Sequence, residues 1–525
     1  MDRRQFLAAS AGALSLPAIG RAQATRPLRF VPQGNLASLD PVWSPFLPTR
    51  NHAYMIYDTL YGVDAAMEPR PQMAAGHVVE EDGRRWTITL REGLAFHDGE
   101  PVRARDAVAS ISRWMRRNSF GQKLHTVTDE LSAPDDQRIV FHLKRPFPML
   151  ASALATPGQP AFIMPERVAQ TDPFKQIQDT TGSGPFRYKR DEANPGSLFV
   201  YERNAAYRPV SSGTPSLTAG PKIAHFDRVE WQVIPEAATA GAALQRGEID
   251  WFERPTPEQQ TLLRGDPSVA IVEIETSGSG AFLRLNHLHP PFNDKALRRA
   301  LLPAIVQSDF VMAIVGNDPA AFRTGTGVFT PGYAMANDAG LEALTGSRSL
   351  EQAKGLMKAA GYNGQSMRLI GGTDVLAPAA LAQVAADLFP RLGLNVDVAL
   401  TDWGTALQRR ASREPVEKGG WSAVLSTFPG FDFADPSNHP LVRGNGIEGF
   451  PGWPTIPHLE QLRDAWFEAP DVATRWAICG DIQRTVLDEV AYVPLGFYVQ
   501  QMALRRELTG MVQGMPIFWN IRRER

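Results

Sequence analysis

The chain has 525 residues, 43% of them hydrophobic, with 54 Lys and Arg against 56 Asp and Glu. That near balance argues against a nucleic-acid partner, which requires a clear basic excess. The length exceeds what one hydrophobic core fills, so two or more lobes are expected.

At the N-terminus, Arg3-Arg4 precede Gln5-Phe6-Leu7, a small-residue apolar run to Ile19, and Ala22-Gln23-Ala24. Residues 1–24 therefore read as a twin-arginine-like signal peptide with an A-x-A cleavage site. Asp2 and Ala8 depart from the usual pattern and keep Sec export open as an alternative. The run is shorter than the roughly 20 residues that span a bilayer. No later run approaches that length, and the mature chain is expected to be soluble. The only cysteine, Cys479, lies far from the leader, which leaves no lipobox cysteine to acylate and no disulfide partner. Its helical pattern with Trp476, Ile482 and Val486 predicts a buried, inert thiol.

Leu28 to Asp40 reads as a strand and an irregular loop, followed by a helix carrying Tyr54, Ile56, Tyr57 and Leu60 and ending at Gly62. The stretch WTITLREGLAFHDGEPVRARDAVASI, Trp86 to Ile111, reads as a strand alternating at Trp86, Ile88 and Leu90, a turn at Asp98-Gly99, and an amphipathic helix. On that helix Ala107, Val108, Ile111, Trp114 and Met115 return at helical spacing. An extended segment, SGSGAFLRL, runs from Ser277 to Leu285. In PPFNDKALRRALLPAI, Asn293 or Asp294 caps a helix with the apolar face Ala296, Leu297, Ala300, Leu301 and Ala304, which Pro303 kinks or shortens. A strand is expected around Val424, and a second extended segment, AYVPLGFY, ends at Tyr498.

These segments resemble the family 5 extracytoplasmic solute-binding proteins, the dipeptide, oligopeptide and nickel-complex receptors of bacterial ABC importers. Trp86 to Ile111 is similar to the family signature, and NLASLDP, DTLYG, TGSGPFRY, RNAAY and Gly247-Glu248-Ile249-Asp250 resemble further family segments. The resemblance implies an α/β, two-lobe periplasmic binding protein of the class II or cluster C type, with an extra N-terminal subdomain and two extended inter-lobe hinge strands. Lobe I is expected over 25–280 with a satellite subdomain at about 63–178, lobe II over 281–492, and a C-terminal return to lobe I over 493–525. Hinge motion is expected at Gly278, Gly280 and Pro494.

The function implied is a monomeric periplasmic receptor that needs no cofactor and makes or breaks no bond. It would capture a peptide or a small amine-bearing solute in the cleft and pass it to ABC transporter permease subunits in the inner membrane. In STFPGFDFADPSNHP, Ser426 to Pro440, Asp432 matches the aspartate that pairs with the ligand α-ammonium in peptide receptors. Charge-assisted hydrogen bonds of that kind contribute about 1.5–3 kcal/mol each. The competing reading is a loop carboxylate satisfied by local amides, as Asp435 is expected to be. Phe428, Phe431 and Trp403 would line an apolar cleft beside Gly430 and Ser279, with core packing as the alternative for each aromatic. Phe428 stands where peptide receptors often carry Trp. No basic residue for a peptide carboxylate is identifiable by pattern. The alternatives are a receptor for an opine, a sugar conjugate or a metal chelate on the same fold, and a noncatalytic sensor or chaperone.

Enzyme motifs do not compete. Gly444 to Gly449 fits GxGxxG literally but has no clear preceding strand and no βαβ helix after it. GxSxG, Walker A and HExxH are missing. His287 and His289 could present two imidazoles, yet the turn before Pro290-Pro291 accounts for both, and a metal site would need further ligands.

Overall fold

A seven-stranded and a six-stranded sheet organise the chain in the computed structural model, which describes residues 26–524. The signal peptide expected over 1–24 lies outside the described residues. The first sheet runs Phe186–Tyr188, Leu198–Arg203, Arg228–Gln232, Leu28–Val31, Trp251–Phe252, Met502–Arg505, Val269–Val272. Leu28–Val31 is parallel to both its neighbours and buries Leu28, Phe30 and Val31 completely, with Arg29 half-buried between them and paired with Glu230. The second sheet runs Phe322–Arg323, Val493–Tyr498, Ser279–Leu285, Ala423–Pro429, Ser366–Gly372, Asn395–Thr401. Helices Gln307–Val315 and Leu376–Arg391 pack Phe310, Ile314, Leu381 and Phe389 into its core.

A third, four-stranded antiparallel sheet forms the satellite, in the order Ala74–Glu80, Arg85–Leu90, Arg138–Leu143, Thr128–Ser132. Its strand Arg85–Leu90 buries Trp86, Ile88 and Leu90 while the residues between them stay half-buried. Helix Ala104–Met115 buries Ala107, Ile111, Trp114 and Met115. The satellite also meets helix Pro457–Glu468, which packs along helix Val472–Glu489 of the second lobe. There Phe467 sits 5.5 Å from Phe120 and 5.9 Å from Phe147, and Lys123 and Arg145 pair with Asp464 and Glu468.

Local chemistry sets several element ends. Asp294 accepts from the amides of Ala296 and Leu297 at the start of helix Lys295–Ala300, and Pro303 falls in the 3-10 turn Leu302–Ala304 that follows. The helix expected to reach Gly62 instead spans Leu47–Ile56 and gives way to short strands at Asp58–Thr59 and Tyr61–Val63. The tertiary environment overrides the apolar periodicity here: buried Asp58 pairs with buried Lys222 at 2.6 Å and accepts from the Tyr207 hydroxyl. Cys479 is fully buried, which pushes its thiol pKa up.

The chain crosses between the two sheets twice, through residues 273–278 and 499–501. Both extended segments seen in the sequence, Ser279–Leu285 and Val493–Tyr498, pair with each other inside the second sheet, and the crossings lie at their ends. Gly280 and Pro494 are thus ladder residues, whereas Gly278 lies in the connector with φ of +64°. A Cβ on Gly278 would lie 2.8 Å from the Tyr498 carbonyl oxygen, in the left-handed region that L-residues avoid. Gly278→Ala should lower stability by about 1–3 kcal/mol in urea unfolding.

Candidate functional site

Between the lobes lies a cavity of about 370 Å³. Trp43, Ser44 and Pro45 line it from the first lobe, and Arg116, Arg117 and Gln122 from the satellite. Arg410, Arg413, Phe428, Asp432, Phe450 and Trp453 line it from the second lobe.

The first-lobe wall is held by Asp40. This fully buried carboxylate takes both terminal nitrogens of Arg113, at 3.1 and 2.6 Å, and accepts from the amides of Val42, Trp43 and Ile177. Arg113 spends its remaining donors on the carbonyls of Thr171 and Lys175. The satellite helix is thereby tied to the loop that carries Trp43. Gln159 donates to the Pro41 carbonyl at 2.8 Å and so braces the same loop.

The second-lobe wall starts where strand Ala423–Pro429 turns into the 3-10 segment Gly430–Phe433. The Gly430 amide donates to the Gly278 carbonyl at 2.8 Å, fixing this turn to the connector. A Cβ on Gly430 would meet the Ser277 carbonyl oxygen at 2.1 Å, so the close approach requires glycine. The turn places Asp432 on the cavity, where no group among the described residues donates a hydrogen bond to it. Its carboxylate abuts Gly158 across the cleft, where a Cβ would lie 1.9 Å from Oδ1. Burial pushes the Asp432 pKa up to about 7, against the pull of the Arg50 guanidinium and with added repulsion from Glu275. Asp435 is different, since it accepts from both the amide and the hydroxyl of Ser437.

The other expected site residues divide. Phe428 is on the cavity, stacked on Phe282 at 5.2 Å and edge-on to Phe450 at 5.6 Å. Trp403 lines a small adjoining recess with Phe46, and Phe428 and Arg410 border both spaces. Phe431, Gly430 and Ser279 are not on the lining. Phe431 packs under Arg50, 5.5 Å from its guanidinium carbon, and Ser279 sits in the ladder opposite Tyr498. The main residue that pattern reading missed is Arg410. Helix Trp403–Arg410 buries Trp403, Ala406 and Arg410, so a cation on the apolar face was the available signal.

Gly444 to Gly449 forms a 3-10 turn over Gly446–Glu448 beside an isolated bridge, with no strand–helix unit around it. His287 is half-buried, and His289 Nε2 lies 2.8 Å from the Arg413 carbonyl oxygen. Among the described residues no three His, Cys, Asp or Glu side chains gather as a metal-binding group, and no helix is long and apolar enough to cross a membrane.

Two lobes, two crossings and a cleft at their junction define a periplasmic-binding-protein fold. Residues 68–445 match the profile of bacterial extracellular solute-binding proteins, family 5 middle, and the chain belongs to this family of ABC-importer solute receptors, which are not enzymes. It is 35% identical to a probable peptide ABC transporter periplasmic-binding protein of Sinorhizobium fredii, over 98% of this chain and 97% of that one. It is 27% identical to the glutathione-binding protein GsiB of Escherichia coli K12, over 74% of this chain and 73% of that one. Among solved structures, the periplasmic binding protein MoaA of A. tumefacien R10, in complex with mannopinic acid, aligns with a TM-score of 0.78 at 20% identity, covering 96% of this chain and all of that one. The dipeptide-binding protein of Pseudoalteromonas sp. SM9913, in complex with Met-Leu, aligns with a TM-score of 0.75 at 18% identity, covering 95% and 100%.

Asp40→Ala would leave Arg113 buried without its counter-charge. It should cost about 3–5 kcal/mol in chemical unfolding, whereas an exposed pair such as Arg391–Asp387 should cost under about 1 kcal/mol when broken.

Proposed function

We propose that this receptor binds a peptide or another small amine-bearing solute in the inter-lobe cavity, with Asp432 receiving the ammonium. The observation that carries this reading is a carboxylate on the cavity wall with no hydrogen-bond donor among the described residues, on a lining it shares with the Phe428 and Phe450 rings. A cleft that sets aromatic rings beside charged side chains suits a small solute with both apolar and charged parts. The Sinorhizobium relative is described as a probable peptide receptor and GsiB as a glutathione receptor, which favours a peptide. A second reading, an opine, is favoured by the fold match to the mannopinic acid complex. Both solute types carry nitrogen and carboxylate groups.

In this reading the protein is exported by the twin-arginine or Sec machinery, works in the periplasm as a monomer without a lipid anchor, and delivers its solute to the permease. Gly278 and the two connectors supply the hinge, and Phe428 with the Trp403 recess shapes the apolar wall. A thermal-shift screen of dipeptides, tripeptides, opines, sugars and nickel chelates tests it. A solute at about 100 times its dissociation constant stabilises the fold by roughly 2.7 kcal/mol, and hits confined to sugars or chelates would overturn the ammonium reading.

Asp432→Asn should weaken an amine-bearing hit by roughly tenfold to a hundredfold in calorimetry, and N-acetylation of the solute should do the same. The pH dependence follows from the raised pKa of about 7. Only the ionised carboxylate pairs with ammonium, so affinity should be roughly tenfold weaker at pH 6 than at pH 8. The sign for the unliganded fold is opposite. A carboxyl whose folded pKa lies above its unfolded value loses stability as pH rises towards and through 7, and Asp432→Asn should reduce that loss in melting curves.

A further inference from the structure

Five arginines and two carboxylates, Asp432 and Glu448, line the cavity. Most of these arginines are already occupied. Arg443 pairs with Glu460 at 3.1 Å and donates to Gln122 at 2.8 Å. Arg117 donates to the Trp43 carbonyl and lies over Phe174, and Arg413 donates to the Ile447 carbonyl and lies over Trp453. Arg116 is exposed at the rim.

Arg410 alone combines burial with unspent donors. It is 8% exposed, and its guanidinium carbon lies 4.7 Å from the Phe450 centroid. Its Nε is buried without a hydrogen-bond partner, and among the described residues no carboxylate lies within ion-pair distance of it. Burial lowers its pKa only to about 10, so it stays a cation at neutral pH. An unpaired buried guanidinium destabilises a fold unless something compensates its charge. The ring of Phe450 satisfies one face of the plane and leaves the hydrogen-bonding edge free, and that edge matches a carboxylate in two-point geometry. The side chain borders both the main cavity and the Trp403 recess, so an anion lodged there would lie in the same cleft as Asp432.

We propose that Arg410 is the carboxylate receptor of the cleft, and that the solute carries one ammonium and at least two carboxylates. The second half rests on reading Asp432 as the ammonium receptor. Once the ammonium and one carboxylate have met Asp432 and Arg410, the lining still holds more arginines than carboxylates, so a second acidic group is attracted. An acidic di- or tripeptide has this chemistry, and so does an amino-acid conjugate of the opine kind.

Calorimetry of the purified protein with Ala-Glu, Ala-Gln, Ala-Ala and mannopinic acid tests the proposal. Ala-Glu or mannopinic acid should bind at least tenfold more tightly than the neutral-side-chain peptides, and whichever of the two wins identifies the source. Arg410→Gln should weaken the better probe by roughly tenfold to a hundredfold. Arg410→Lys should retain part of that affinity. A structural role would give a lower melting temperature for Arg410→Met without solute, whereas a ligand receptor predicts a melting temperature equal to or above that of the parent. Unchanged affinity in Arg410→Gln, or affinities of both acidic probes no higher than that of Ala-Gln, would overturn the proposal. The Asp432 reading fails separately, if N-acetyl-Ala-Glu binds as tightly as Ala-Glu while Arg410→Gln still weakens both.

Discussion

The pair between Asp40 and Arg113 is the constraint on which the cleft depends. Both side chains are at most 2% exposed, and together they join the first strand's loop to the satellite helix. Removing two charges from water is repaid only when every remaining donor and acceptor is used. Here the backbone amides of Val42, Trp43 and Ile177 add to the carboxylate's partners, and Asp40 with the carbonyls of Thr171 and Lys175 takes four of the five guanidinium N–H groups. That dense set of bonds ties down an irregular loop that forms a wall of the cavity.

A second charged group sits at the junction of the lobes. Arg50 from helix Leu47–Ile56 and Arg254 both approach Glu275 of the first connector, at 3.7 Å for Arg50. Glu253 accepts from the Gln33 amide at 2.6 Å, and burial raises its pKa to about 7. The same Arg50 faces the Phe431 ring and stabilises the ionised form of Asp432. The charges at the connector therefore act on the cavity carboxylate, Arg50 favouring its ionised form and Glu275 disfavouring it.

Much of this architecture is local and was legible in the sequence. Trp86, Ile88 and Leu90 alternate as read, Asp294 caps its helix, and Pro303 ends it. What escaped depends on contacts distant in sequence. The helix near Tyr57 stops because Asp58 is drawn to Lys222, 164 residues away. Asp432 was singled out by its motif, but its lack of any donor and its approach to Gly158 belong to the folded cleft. Arg410 carries no motif. Its significance comes from burial beside Phe450, and the only trace in the sequence is a cation at i+7 from Trp403 on one helical face.

The contact between the satellite and helix Pro457–Glu468 is a second tie of the satellite, of a different kind. Its two ion pairs have a partner more than half exposed, and pairs of that kind contribute about 0.2–1 kcal/mol each. Phe467, between Phe120 and Phe147, adds about 1.5–3 kcal/mol of apolar burial. The two ion pairs and Phe467 together contribute about 2–5 kcal/mol to this seam, and Gln122 adds hydrogen bonds from Arg443 and to the Glu448 carbonyl. Contacts of this size are weak beside the buried Asp40–Arg113 pair, so of the satellite's two ties the seam to the second lobe is the weaker.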